Sequence, residues 1–348
     1  MLTHTDNFSL YGVNGQLRML EGVYANNHGT SVTVDPDPNA PAGSLAANVN
    51  NFGHLNEGFR RIEDVDDTVV GASWRWWVDS VPQDDNDRPV VKFLNPVAEP
   101  VVSITLNVAG GVDIRNGDTT GPVVASSDGP VITARGWYHF EVRVDSTADG
   151  NVEVRVEGRT VATILHQNYS TTLQQFMWGM WSAAGPLYQC YYKDLTTWNS
   201  LGAHNNDFLG SVLVINLEPV ADVALNWTPS TGANGFSILD NIPPDDTKYI
   251  QADNPPPAPY KCSFAPLPPE ITGVRAVMSV VRAGKFDGGD GSLQNGLISS
   301  ATLVNGSDRP ITVTQTYWRD IFETDPHTAA PWLPAAVNAV QMQVNRTT

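Results

Sequence analysis

The chain has 348 residues, 41% of them hydrophobic, with 20 basic and 37 acidic side chains for a formal charge of −17. That length exceeds the usual single-domain range, and the apolar content is enough for real cores, which excludes a disordered chain. The acidity, with no Lys/Arg cluster to offset it, argues against nucleic acid and anionic membranes as partners.

Glycine (29) and proline (25) are plentiful and long amphipathic helical patterns are scarce, the signature of short strands joined by turns. No apolar run approaches the about 18 residues of a membrane span. The start, Met1-Leu2-Thr3-His4-Thr5-Asp6, lacks the layout of a signal peptide, so folding in a cytoplasm is expected. Cys190 and Cys262 are too few for a disulfide framework or a structural zinc site, and a single bridge between them stays open.

In chain order, the first strong strand is 69–81, where Trp74, Trp76 and Val78 share one face. Two carboxylate clusters flank it, Asp64/Asp66/Asp67 and Asp84/Asp85/Asp87. Both sit in turn-rich sequence and read as solvated loops, since nothing apolar nearby would raise a carboxyl pKa for general-acid work. Strands follow at 101–108 and 112–115, the second ending at the turn signal Asn116-Gly117.

The segments 136–144 and 152–158 alternate apolar and polar residues around Asp149-Gly150-Asn151, which makes them a hairpin. Placing Val144 opposite Val152 sets Val142 against Val154 and Phe140 against Val156. The same register sets Arg143 against Glu153, Glu141 against Arg155 and His139 against Glu157. Opposite charges across a ladder are worth about 0.2–1 kcal/mol each, and a one-residue slip would turn the valines outward. Glu153-Val154-Arg155-Val156-Glu157 is therefore read as a salt-bridged face rather than the Glu-x-Asp-x-Glu strand of lectin-like glucanases, which argues against an enzyme of that kind.

Further strands are expected at 176–181 and 187–198, and the spacing suggests a two-sheet sandwich. The small, polar segment 199–207 is the best boundary, dividing the chain into 1–202 and 203–348. Beyond it, strands are expected at 208–215, 273–283, 296–304, 311–317 and 339–345, with a Pro-rich crossing loop over 254–270. Asp287-Gly288-Gly289-Asp290-Gly291 lacks the ligand count for calcium and reads as a turn. The seven histidines show no zinc spacing, and no nucleophile elbow, phosphate loop or dinucleotide fingerprint is present, so no catalytic residue, metal or cofactor is expected. Trp76, Trp77, Trp178 and Trp181 admit two readings: packing in a core or subunit contact, or stacking on the rings of a glycan.

Gly136-Trp137-Tyr138-His139-Phe140-Glu141-Val142, the return strand 152–158 and Tyr191-Tyr192-Lys193-Asp194-Leu195 together resemble a concanavalin A-like (laminin-G-like) jelly roll. Members of that family often carry an Asp-Asp pair in the closing strand, where this chain has Lys193-Asp194. Asn205-Asn206-Asp207-Phe208-Leu209-Gly210, Asn226-Trp227-Thr228-Pro229, Pro244-Asp245-Asp246-Thr247 and Glu323-Thr324-Asp325-Pro326-His327-Thr328 resemble a group of tailed-bacteriophage virion proteins. The resemblance implies an all-β chain of two β-sandwich domains, a jelly roll and a smaller sandwich behind it. It also implies a non-enzymatic structural component of head, tail or baseplate, located in the virion as a homo-oligomer beside other virion proteins. The alternative is a receptor-binding adhesin whose lectin-like domain grips a host surface glycan.

Overall fold

The computed structural model describes residues 1–11, 23–24, 26–27, 32–37, 45–50, 58–78, 87–179, 189–232, 234–253 and 258–347. The chain divides into two compact units, Met1–Val214 and Ile215–Thr348. Both are built from strands, as the alternating patterns require.

Unit 1 begins with β1 (Leu2–Asp6), β2 (Asn26–Asn27), β3 (Val32–Pro36), β4 (Leu45–Asn50) and β5 (Phe59–Asp67). It continues through β6 (Val69–Val78), β7 (Arg88–Leu94), β8 (Pro100–Leu106), β9 (Val112–Asn116) and β10 (Val123–Ser126). The last strands are β11 (Gly136–Asp145), β12 (Gly150–Val156), β13 (Arg159–Gln167), β14 (Leu173–Trp178) and β15 (Gln189–Asn199). They form an eight-stranded sheet in the order β13-β12-β11-β6-β15-β4-β3, with β1 also on β15, and a seven-stranded sheet β10-β9-β8-β7-β14-β5-β2. This is an all-β jelly-roll sandwich.

The expected hairpin register is the observed one, with Phe140, Glu141, Val142, Arg143 and Val144 opposite Val156, Arg155, Val154, Glu153 and Val152. Its inward valines and Phe140 are fully buried. Trp74 of one sheet and Trp178 of the other meet edge to face at 6.4 Å, while Trp74 stacks on Phe140 at 5.7 Å and Trp178 on Phe59 at 5.5 Å. Each such ring pair adds about 0.5–1.5 kcal/mol beyond the area it buries. This aromatic seam ties the two sheets.

Three strand assignments differ from expectation, one of them 311–317, where only Thr316 and Tyr317 lie in a strand. The expected strand 208–215 is not a strand: its residues 208–214 form a strap within unit 1, and Ile215 opens unit 2. Consequently the division falls after Val214 rather than after Gly202. In unit 2, the expected strand 296–304 turns at Ser300 and Ala301, both at positive φ (44° and 71°).

Unit 2 contains β16 (Pro219–Ala224), β17 (Thr228–Pro229), β18 (Ile250–Gln251), β19 (Tyr260–Phe264) and β20 (Val277–Ala283), then β21 (Ser292–Ser299), β22 (Thr302–Pro310), β23 (Thr316–Phe322) and β24 (Gln341–Arg346). A five-stranded sheet β16-β19-β24-β21-β22 and the β20–β23 pair enclose a core around Tyr260, Leu297, Trp332 and Met342. Cys190 and Cys262 are buried free thiols in different units. The bridge left open by the sequence is therefore absent, and burial pushes each thiol up to about 12.

Candidate functional site

Strand pairing arranges the outward side chains of the eight-stranded sheet in transverse rows. Trp137 (β11), Trp77 (β6), Tyr191 (β15) and Asn48 (β4) form the first row. His139, Arg75 and Lys193 form the second; Glu141, Ser73 and Thr196 the third; Arg143, Gly71 and Trp198 the fourth. A one-residue bulge at Asp194 (φ 50°) keeps β15 in step across the second and third rows. Neighbouring strands lie about 4.8 Å apart, so the first row runs about 14 Å across the sheet.

The strap covers the lower rows. The Glu141 carboxylate accepts from the amides of Leu209 and Gly210, both at 2.9 Å. Asp194 accepts from the Val214 amide at 3.0 Å, Arg75 donates to Ser211 Oγ at 3.0 Å, and Asn7 donates to the Val214 carbonyl at 2.8 Å. Phe208 lies edge-on to Trp198 at 6.3 Å, and the Arg155 guanidinium sits 3.6 Å above the Phe208 ring. A segment without strand pairing can lie on a sheet in this way because its backbone amides find carboxylates there.

The ladder charges are therefore used differently from the sequence expectation. Glu141 holds the strap, Arg155 turns to Glu153 of its own strand at 2.7 Å, and Arg143 bonds Asn151 at 2.9 Å. Glu157 accepts from the backbone amide of His139 at 2.7 Å. The register was right; the side chains had nearer or better-placed partners.

Over the first row, Asp37 spans from β11 to β15, accepting from Trp137 Nε1 at 3.2 Å and Lys193 Nζ at 3.1 Å. The Arg135 guanidinium lies 4.7 Å over the Trp77 ring, and Trp77 meets Tyr191 edge to face at 5.4 Å. In the second row, His139 Nε2 is 2.9 Å from Ser73 Oγ. Burial chiefly, and then the Arg75 guanidinium, push the imidazole down to about 4, with Glu157 opposing. It is neutral at pH 7. Burial raises Asp194 above the ordinary carboxylate value, offset by the Val214 amide, Lys193 and Arg75.

Solvent reaches the second row of the sheet. Side-chain exposure is 34% for Arg75 and 22% for Lys193, against 2% for Asp194 and 3% for Asp37, their carboxylate partners. The acids are inside and the bases face out. Chemically, this strip offers two oriented cations and the half-buried Trp137, a set suited to a hydroxylated or anionic ligand. Among the described residues no group of three or more His, Cys, Asp or Glu is placed to hold a metal ion.

The four tryptophans singled out in the sequence are dispersed. Trp76 and Trp178 are 0% exposed in the inter-sheet core, and they present no face to a sugar. Trp77 joins the outer row but is only 2% exposed, with Arg135 over its ring. Trp181 lies outside the described residues. What the sequence reading missed is Trp137, His139, Arg75, Lys193 and Asp37. Their parity along β6, β11 and β15 was readable; the order of those strands in the sheet was not.

No family model and no curated protein matches the chain. Among solved structures, it is similar to alginate lyase Aly36B at 15% identity, over 56% of this chain and 95% of that one, with a TM-score of 0.40. It is also similar to an endo-β-1,4-glucuronan lyase from the fungus Trichoderma reesei (13%, 57% and 95%, 0.40) and to the receptor-binding domain of botulinum neurotoxin type G (10%, 49% and 41%, 0.32). The expectation of a chain without catalysis is corrected here, because solved structures with this architecture are named as lyases. Lack of a paired-carboxylate strand excluded one kind of glycan chemistry only. The likeness itself assigns no activity to this chain.

Proposed function

We propose that this chain is a virion protein of a tailed bacteriophage, present in several copies beside other virion proteins, whose jelly-roll unit takes hold of a host surface glycan. The observation that carries the glycan reading is the partly exposed strip of the outer face, where Arg75 and Lys193 keep solvent contact beside Trp137 while their carboxylate partners are buried. A half-buried indole supplies the apolar contact a sugar ring uses, and fixed charged donors suit its polar edge. The virion reading rests on the sequence resemblance of 205–210 and the segments behind it.

Binding of the purified full chain to a glycan array tests the site, with product release followed in the same samples because glycan cleavage is open to this architecture. Retention on at least one glycan, weakened about tenfold by Trp137→Ala, is expected. Failure to bind any glycan sinks the site reading. Mass spectrometry of purified particles tests the other half, and absence of the chain from them overturns it.

A further inference from the structure

Resting on that glycan reading, we infer that the strip selects an anionic saccharide, one bearing carboxylate or sulfate groups. The chain carries −17 overall, and an unspecialised patch of its surface would repel such a ligand. This strip is built the other way. Asp37 and Asp194 are buried beside its cations: Asp37 accepts from Trp137 and Lys193, and Asp194 accepts from the Val214 amide and pairs with Arg75 at 3.5 Å. Their burial fixes the orientation of Lys193 and Arg75, whose side chains keep 22% and 34% of their surface exposed. Register places the two cations directly opposite on adjacent strands, about 4.8 Å apart in backbone. Arg135, exposed above Trp77, adds a third positive group at the next row. His139 in the same row is neutral and adds no charge of its own. A neutral sugar would need few cations. A ligand with an anionic group on successive residues gains a charge-assisted bond at each.

Three oligosaccharides of equal length separate the outcomes: a hexuronate, its carboxyl-reduced neutral counterpart, and a sulfated neutral hexose. Calorimetric titration of the full chain should give binding to one or both anionic forms at least tenfold tighter than to the neutral form, weakening as salt is raised. Uronate against sulfate preference identifies the source of the charge. Arg75→Gln should cost the anionic ligand about 10- to 100-fold, the scale of one charged hydrogen bond, and weaken neutral binding by a smaller factor, because only the anionic ligand loses a charge partner. Lys193→Arg should retain binding, and Arg159→Ala, on the exposed far edge of the sheet, should behave as the parent. Because the salt dependence is read on the parent chain, a variant that folds poorly does not decide the matter. Equal affinity for charged and neutral forms at low and high salt overturns the charge selection while leaving glycan recognition in place. No binding to any of the three, nor to the array, removes both.

Discussion

Single residues hold the outer face in shape through contact and protonation. Gly71 faces Trp198 so closely that a Cβ there would lie 2.0 Å from the ring. Because Trp198 is 1% exposed and backed by Phe208, it has nowhere to move. Gly71→Ala should cost about 1–3 kcal/mol, read from the midpoint of urea unfolding. His139 sets an acid limit. Its folded value lies below the ordinary 6.5, near 4, so in that window the unfolded chain binds a proton that the folded chain does not. The stability it supports is complete above 6.5, falls as the pH drops towards about 4, and falls no further below that. His139→Gln should make unfolding less sensitive to pH between 7 and 5 than in the parent. In unit 2, Ala301 holds φ 71°, a conformation that disfavours a Cβ. Ala301→Gly should therefore cost nothing or stabilise by up to about 1 kcal/mol in the same assay.

At the scale of elements, legibility follows how local the information is. The β11–β12 register could be read because alternating valines and alternating charges independently select it, and both lie within one hairpin. The β21–β22 hairpin was missed because its turn uses Ser300 and Ala301, without the Gly or Asn that marks such turns. The strap was missed for a different reason. It has no periodicity, and what holds it is the carboxylates of Glu141 and Asp194, distant in sequence, which accept its amides. The site suffers likewise, since β6 lies between β11 and β15 only once the sheet is assembled. Glu141→Ala strips the buried Leu209 amide and the part-buried Gly210 amide of their acceptor, a loss of about 1–3 kcal/mol for the buried group. Hydrogen exchange at Leu209 and Gly210 should then accelerate while β11 and β12 amides stay protected; an unchanged strap would show that Glu141 does not anchor it.

At the scale of the whole molecule, the strap decides where the first folding unit ends. Ending it after Gly202, as composition suggests, discards Phe208, Leu209 and Val214. Leu209 is 3% exposed, and burying such a side chain is worth about 1.5–3 kcal/mol. Its removal would also open Trp198 to water and leave Glu141 and Asp194 without the amides they accept. Buried carboxylates stripped of donors are costly, so these losses act in the same direction. A fragment of residues 1–214 should unfold in one cooperative transition, whereas 1–202 should unfold at lower urea, with a loss of at least about 3 kcal/mol. Tryptophan fluorescence reports on both, and in 1–202 the native emission should already be shifted to the red by the uncovered Trp198. Equal midpoints for the two fragments would mean that the strap merely lies on the sheet. The boundary would then belong where the small polar residues first suggest it.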